Sequence, residues 1–353
     1  MRRVATIVLL VLCGAGLLPA IPASAGPMSE DHLSWQLTPT GVTARFRGLS
    51  AVSRTVAWAG GSLGTVLRTT DGGKTWQNVS PPGVADLQFR DIEAFDASNA
   101  VILSIGPGDT SRVYRTNDGG AHWMETFRNP DPNAFYDCMA FFDRRHGLAL
   151  SDPVDGKFRV LSTSDGGSSW SVLPNAGMPA ALDGEFAFAA SGQCVTVDGD
   201  RDAWIASGGG AQARVFHSRD RGVHWTVGAT PLASSGSAGV FATAFRERDG
   251  IAVGGDFNNP TNGVDALAFT RNGARSWEKP ATAPQGYRSG VAWYPFFNTV
   301  AFAVGPTGSD LTLDGGRHWH QFDAGSFDTV DCTRDGACWA SGEQGRVATL
   351  RLS

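Results

Sequence analysis

A short pattern recurs six times along the chain and constrains its fold more than any other feature. The pattern is Thr/Ser-x-Asp-x-Gly-x-x-Trp, and successive copies lie 42 to 55 residues apart. The copies are TTDGGKTW (69–76), TNDGGAHW (116–123), TSDGGSSW (163–170), SRDRGVHW (218–225), TRNGARSW (270–277) and TLDGGRHW (312–319). Self-similarity at this period is typical of propellers and other repeat architectures.

Each copy is predicted to form a tight turn followed by a strand. The Asp side chain accepts hydrogen bonds from nearby backbone N–H groups, and the Gly adopts a conformation that a Cβ penalises. The Trp packs between neighbouring sheets and buries about 150–250 Å². The fifth copy is degenerate, with Asn272 and Ala274 in place of Asp and Gly. We therefore expect structural roles for Asp71, Asp118, Asp165, Asp220, Asn272 and Asp314.

Short apolar runs on both sides of each copy predict an antiparallel sheet of four strands per unit. The C-terminal run CWASGEQGRVATLRLS repeats the strands before the pattern, without the pattern itself. Near the other end, SWQLTPTGVTARF resembles TWQNVSPPGVADLQF, so that Trp35 takes the place of Trp76. The sequence therefore predicts an all-β, seven-bladed β-propeller of four-stranded antiparallel blades. Its ring is closed by an N-terminal strand that joins the C-terminal blade, which removes the exposed sheet edges.

The first 25 residues have the pattern of a signal peptide. Arg2 and Arg3 precede the apolar stretch 4–18, and Ala23-Ser24-Ala25 form a small-residue cleavage site. We expect cleavage near Ala25 and a secreted or periplasmic protein with one domain, residues 26–353. The apolar stretch is too short to span a bilayer comfortably, and no second one follows, so no membrane span is predicted.

Charge and motif content exclude several classes of partner. Residues 1–25 contain two arginines and no acid, so their removal changes the net charge from −5 to −7. With no basic run, nucleic acid is not expected as a partner. No metal-ligand spacing, Gly-x-Gly-x-x-Gly motif or redox Cys-x-x-Cys motif occurs. We expect a monomer without metal or cofactor.

Four cysteines remain after removal of the leader, and an exported chain permits disulfides. Cys332 and Cys338 flank an Asp335-Gly336 turn between two predicted strands, so a cross-strand disulfide is predicted. The sequence leaves open whether Cys138 and Cys194 pair or remain free thiols.

Charged residues recur where the innermost strands of the predicted blades begin. Alignment on a preceding aromatic or Gly gives one column: Arg47, Arg90, Asp137, Glu185, Ser237, Arg288 and Asp328. Loops expected on the same face add Asp152 and Asp256. Two interpretations are open: an internal ring of ion pairs that holds the strands together, and a polar binding site at the mouth of the central channel.

The repeated pattern and its spacing resemble those of the Asp-box (BNR) β-propellers of the sialidase superfamily. Over residues 30–353 the chain is most similar to the photosystem II stability/assembly factor family. That resemblance implies a non-catalytic binding or assembly scaffold. Its partner, a protein or a glycan, is expected on the channel-mouth face.

The alternative implied by the same superfamily is a sialidase-like glycoside hydrolase. Such enzymes hold a sugar carboxylate with three arginines and use a Tyr–Glu pair and an acid/base Asp. The candidate catalytic residues are Glu185, Asp137 and Tyr287, with Tyr136 as a second choice for the Tyr. The Arg-Ile-Pro signature of sialidases is absent.

Overall fold

The computed structural model describes residues 33–352, and its strands form seven antiparallel sheets. The first strand of each sheet contacts the first strand of the next, so these strands surround a central channel. The predicted signal peptide lies outside the described residues. Within residues 33–352, two short 3-10 helices occur, Gly108–Thr110 and Asn175–Gly177. No helix between residues 33 and 352 is long and apolar enough to cross a membrane.

The chain enters through β1 (Leu33–Leu37) and then forms three four-stranded blades. Blade 1 contains β2 (Phe46–Ala51), β3 (Ala57–Gly61), β4 (Val66–Thr69) and β5 (Gln77–Asn78). Blade 2 contains β6 (Phe89–Ala94), β7 (Ala100–Ser104), β8 (Arg112–Thr116) and β9 (Met124–Arg128). Blade 3 contains β10 (Tyr136–Phe141), β11 (Gly147–Val154), β12 (Lys157–Thr163) and β13 (Ser171–Val172).

The next three blades follow the same order from the channel outward. Blade 4 contains β14 (Val195–Asp198), β15 (Asp202–Ser207), β16 (Arg214–Ser218) and β17 (Trp225–Ala229). Blade 5 contains β18 (Ala238–Arg246), β19 (Asp249–Asp256) and β20 (Leu267–Thr270). Blade 6 contains β21 (Gly290–Trp293), β22 (Ala301–Gly305), β23 (Gly308–Thr312) and β24 (His320–Asp323).

Blade 7 joins the two ends of the chain. Its inner strands are β25 (Thr329–Cys332), β26 (Cys338–Ser341) and β27 (Val347–Leu352), and β1 is its outermost strand. Trp35 on β1 pairs with Leu350 on β27, and its indole Nε1 donates to Ser309 Oγ of blade 6 at 2.9 Å. The predicted seven-bladed fold and its closure by the N-terminal strand are confirmed.

Blade 5 has three strands because its fourth is reduced to a single bridge between Phe269 and Glu278. The degenerate pattern lies at this position: Ala274 adopts a φ of 68°, which is costly for a residue with a Cβ. Pro280 follows two residues after the bridge and has no N–H to extend the pairing.

The repeated pattern forms the turn between the third and fourth strands. In the first copy, Thr69 Oγ1 donates to Asp71 Oδ1 at 2.9 Å and accepts the Gly73 N–H at 3.0 Å. The Thr75 N–H and hydroxyl donate to the two oxygens of Asp71 at 2.9 and 2.6 Å. In the fifth copy, Asn272 Oδ1 accepts the Ser276 N–H at 3.0 Å. These side chains bind the turn itself, which fits a structural role.

Candidate functional site

Four innermost strands carry a β-bulge at the same level of the channel. The pairing register shifts at Arg47 on β2, Arg90 on β6, Asp137 on β10 and Phe241 on β18. A bulged residue is left out of the ladder, and its side chain is redirected. Arg47, Arg90 and Phe241 consequently line one cavity at the end of the channel.

This channel-mouth cavity encloses about 440 Å³ and has two unlike walls. The charged wall comes from blades 7, 1 and 2 and contains Arg45, Arg47, Arg90, Asp328 and Glu343. The apolar wall comes from blades 5 and 6 and the segment before β14, and contains Phe188, Phe241, Phe257, Pro260, Tyr287 and Pro306. A ligand that fills the cavity therefore meets positive charge on one side and aromatic rings on the other.

The arginines of the charged wall differ in how well they are neutralised. Arg45 forms a bidentate ion pair with Asp328, with Nε–Oδ2 at 2.7 Å and Nη2–Oδ1 at 2.6 Å. The Asp328 carboxylate thereby raises the pKa of Arg45. Arg47 Nε lies 3.8 Å from Asp328 Oδ1, and this buried Nε has no hydrogen-bond partner. Burial lowers the pKa of Arg47 despite the nearby Asp328 charge.

Arg90 is held by neutral groups instead of a carboxylate. Its Nη1 donates to the Ala189 carbonyl at 3.0 Å, and its Nη2 donates to Gln88 Oε1 at 2.8 Å. Burial, together with the positive charges of Arg47 and Arg45, lowers the pKa of Arg90 to about 10. Arg47 and Arg90 thus form an under-neutralised positive pair, which an anionic ligand group would stabilise.

The apolar wall is a continuous cluster of aromatic rings. Phe188 stacks on Phe241 with centroids 3.8 Å apart, and Tyr287 contacts Phe241 edge-on at 4.8 Å. Phe257 lies 6.2 Å from Phe241 and is 47% exposed, so it extends the aromatic cluster to the protein surface. An exposed ring beside a polar cavity is typical of a binding surface.

Residues 186–194 run from the Phe186–Gly208 bridge across the channel to β14, the inner strand of blade 4, and we call this segment the plug. Gln193 Nε2 donates to the Val291 and Val330 carbonyls at 3.1 and 3.0 Å, and Gln193 Oε1 accepts the Val291 N–H at 2.9 Å. At Gly192 (φ +76°), a Cβ would lie 2.7 Å from Asp91 Oδ1 on β6. A segment from blade 4 therefore touches blades 2, 6 and 7 and closes the channel beneath the cavity.

Further contacts hold the plug in place along its length. Cys194 is disulfide-bonded to Cys138 on β10, which answers the question that the sequence left open. Asp152 Oδ1 accepts the Ala187 N–H at 2.8 Å, and Arg90 holds the Ala189 carbonyl. The second disulfide joins Cys332 and Cys338 across β25 and β26.

Asp137 and Asp152 form a buried carboxyl pair beside the plug. Burial, followed by the charge of Asp152, raises the pKa of Asp137 well above its usual range. Burial also raises the pKa of Asp152 to about 7. Asp137 Oδ2 has no hydrogen-bond partner. Burial and the neighbouring carboxylate therefore favour the protonated form of Asp137.

The structure brings some residues of the predicted charged ring to the cavity and places others elsewhere. Arg47, Arg90 and Asp328 line the cavity, and Asp137 is buried beside it. Asp256 lies apart from the lining and accepts the Asn258 N–H at 2.9 Å within its own turn.

Glu185 and Arg288 are not brought to the cavity lining, contrary to the predicted ring. Glu185 is buried and forms an ion pair with Arg214, because β14 begins at Val195, ten residues later than the alignment assumed. Arg288 is fully buried and donates to Asp310 Oδ2 at 2.5 Å, since its side chain turns into blade 6. Both residues are placed as internal ion pairs.

Three residues that line the cavity were not predicted by the sequence alignment. Phe241, not Ser237, is the bulged residue of blade 5, because β18 starts at Ala238 and the bulge follows Val240. Arg45 precedes Arg47 by two residues, a spacing that places both on one side of an extended chain. Phe188 lies in the plug, whose course no local pattern indicates.

Among residues 33–352, no group of three or more His, Cys, Asp or Glu side chains is arranged to hold a metal ion. The charged groups of the cavity are mainly guanidiniums, which suit an anion.

Comparison with known proteins supports the fold. No protein-family model matches the chain, and no curated protein matches its sequence. Among solved structures, YCF48 bound to D1 peptide matches with a TM-score of 0.63 at 15% identity, covering 90% of this chain and 97% of the other.

Two further solved structures have the same overall shape. YCF48 from Cyanidioschyzon merolae matches at 16% identity and a TM-score of 0.63, over 90% of this chain and 98% of that one. The Neurospora crassa Pan2 WD40 domain matches at 12% identity and a TM-score of 0.62, over 92% and 97%. At these identities the likeness establishes a β-propeller and nothing finer, so the resemblance to assembly factors is supported for the fold alone.

Proposed function

We propose that this protein is a binding scaffold whose channel-mouth cavity holds a peptide segment of a partner protein. The observation that carries the proposal is the pairing of under-neutralised Arg47 and Arg90 with an aromatic wall across one cavity. This combination suits a carboxylate next to an apolar side chain. YCF48, with a similar fold, has been solved with a bound D1 peptide, and WD40 propellers share the architecture.

The plug favours a ligand that enters the cavity from one face of the ring and ends there. Because residues 186–194 close the channel under the cavity, a chain cannot thread through the ring. A peptide end or a protruding side chain fits such a blind site better than a continuous strand. Export is part of the same proposal, and the two disulfides support it, because they are rare in reducing compartments.

The glycoside hydrolase alternative gains less support from the geometry. Catalysis by a carboxylate pair needs two acids facing a common point. Glu185 is held by Arg214 and by Ser207 Oγ at 2.6 Å, with its side chain fully buried. Burial raises the pKa of Tyr287 and so disfavours the phenolate that a nucleophile would need.

The experiment is a peptide titration by fluorescence anisotropy. The acidic–aromatic heptapeptide GSGDFDF is compared with its neutral counterpart GSGNFNF. We expect the acidic peptide to bind at least about tenfold more tightly, and both Arg47→Ala and Arg90→Ala to remove most of that preference. Arg248→Ala is the matched control, since Arg248 is exposed and lies outside the cavity. Equal binding of both peptides, or equal loss in the control, would refute the proposal.

A further inference from the structure

A second cavity lies on the opposite face of the ring, between blades 4 and 5. This blade 4–5 groove encloses about 520 Å³, with β16 and β17 on one side and the degenerate turn of blade 5 on the other. Its lining includes Val215, His217, Arg219, Trp225, Val227 and Arg275. None of these residues belongs to the channel-mouth cavity.

Arginines fill the equivalent grooves between three other pairs of blades: 1 and 2, 2 and 3, and 5 and 6. Arg68 Nη1 donates to the Ala97 carbonyl of blade 2 at 2.9 Å, and Arg115 Nε donates to the Gly166 carbonyl of blade 3 at 3.0 Å. Arg271 Nη2 does the same to the Gly315 carbonyl of blade 6 at 2.9 Å. In each case a guanidinium bridges to the repeated turn, or the loop beside it, in the next blade and occupies the space.

Blade 4 lacks this contact and leaves the space open; blade 3, with Ser162 and Ser164 at the same positions, also borders an open groove. His217 stands in the sequence position of Arg68 and Arg115, but its ring turns to Asp202, with Nε2 2.6 Å from Asp202 Oδ1. The same ring stacks on Trp204 with centroids 4.7 Å apart. Arg219 stands in the position of Arg271, yet it has no hydrogen bond or ion pair to any residue from 33 to 352. The groove is therefore a cavity that a guanidinium fills elsewhere.

Two arginines of this groove have no ion pair with a carboxylate of residues 33–352. Arg219 and Arg275 are both exposed, and Arg275 likewise has no ion pair within the described chain. Both arginines line the groove together with the His217 ring. Burial lowers the pKa of His217, Asp202 opposes this, and the charges of the two arginines add to the lowering. Asp220 also lines the groove, but it already accepts from the His224 backbone and contacts the His224 ring at 2.7 Å.

We propose that the blade 4–5 groove binds a small molecule that carries a tetrahedral oxyanion, a phosphate or sulfate monoester. The oxyanion lies between Arg219 and Arg275, whose planar donor forks suit its several acceptor oxygens. The body of the ligand lies on the apolar floor of Val215 and Val227. Binding gives both guanidiniums an ionic partner and fills the space that Arg68 and Arg271 fill in other blades.

The test is isothermal titration calorimetry of the protein with four probes: inorganic phosphate, inorganic sulfate, 4-nitrophenyl phosphate and 4-nitrophenyl sulfate. We expect saturable binding of the aryl esters at least about fivefold tighter than that of the inorganic ions, because only the esters reach the apolar floor. The stronger aryl ester identifies whether phosphate or sulfate is preferred.

Three variants locate the site. Arg219→Ala and Arg275→Ala should each weaken aryl ester binding at least about tenfold. Arg317→Ala should leave it unchanged, since Arg317 occupies the position of Arg275 in the blade 6 turn and is equally exposed. Arg47→Ala should also leave it unchanged, which separates this site from the channel-mouth cavity. The absence of saturable binding, or equal weakening by Arg317→Ala, would overturn the proposal.

Discussion

Arg45 and Asp328 form a bidentate ion pair at the channel mouth that uses both oxygens of the carboxylate. The neighbouring Arg47 therefore receives only a distant contact of 3.8 Å from the same group. One carboxylate cannot neutralise two guanidiniums at full strength, so the ion pair fixes Arg45 and leaves Arg47 for a ligand. Because only some of the arginines have a close ion pair, their substitutions are expected to differ in their effects on stability and binding.

Arg288→Ala should destabilise the fold by about 3–5 kcal/mol, because it leaves the buried carboxylate of Asp310 without its partner. Arg47→Ala should cost about 1 kcal/mol or less, since Arg47 lacks a close ion pair. Urea unfolding followed by tryptophan fluorescence measures both. Equal losses of stability would contradict the assignment of Arg288 to the core and Arg47 to the cavity.

The two disulfides should contribute unequally to stability. Cys138–Cys194 spans 56 residues and Cys332–Cys338 spans 6, so the chain-entropy argument gives about 4 and about 2 kcal/mol. We expect Cys138→Ala/Cys194→Ala also to speed amide exchange in the plug, as seen by mass spectrometry. Cys332→Ala/Cys338→Ala should leave plug exchange unchanged and serves as the control. Unchanged exchange in both variants would show that the first disulfide does not hold the plug.

Gln193→Ala should loosen the plug from the opposite side of the channel. The change removes three hydrogen bonds to blades 6 and 7 and leaves the Val291 N–H without its partner, a loss of about 1–3 kcal/mol. Gln193→Glu is the informative companion, because it retains the acceptor but not the donor. A loss at least as large is expected for Gln193→Glu in thermal unfolding, because its carboxylate faces the Val291 and Val330 carbonyl oxygens. No loss in either variant would contradict the role of this side chain.

Asp152 should make stability fall as the pH rises from about 4 to 7. Its pKa of about 7 in the folded protein exceeds the usual value of about 3.9 for the unfolded chain, so the folded state retains a proton in this window. The corresponding slope is at most about 1.4 kcal/mol per pH unit. Asp152→Asn should flatten the profile of unfolding free energy against pH, whereas Asp155→Asn, on the same loop but exposed, should not. Parallel profiles for Asp152→Asn and the unmodified protein would exclude Asp152 as the source.

The fold was predictable because its determinants are local and repeated. Each Asp in the pattern binds its own turn, as Asp71 does, so the residues that mark a blade lie within eight positions of one another. The closure through Trp35 was also accessible, because the N-terminal run resembles the segment after Trp76.

The candidate site was only partly predictable because bulges and the plug are not periodic. The aligned column coincides with the bulged residue in three blades, at Arg47, Arg90 and Asp137. In blade 5 the bulged residue is Phe241 and not Ser237, because its position depends on where β18 begins. The plug departs from the repeat altogether, since its contacts are with blades distant in sequence. Glu185 directly precedes the plug, so the repeat alignment wrongly predicted it at the channel mouth.

A double-mutant cycle at the channel mouth tests the central claim most directly. Dissociation constants are measured for the unmodified protein and Arg47→Ala, each with GSGDFDF and with the peptide in which both acids are replaced by Asn. A direct contact between the Arg47 guanidinium and a peptide carboxylate predicts a coupling energy of about 1 kcal/mol or more. A coupling energy of zero, with both changes acting independently, would contradict a peptide carboxylate at Arg47.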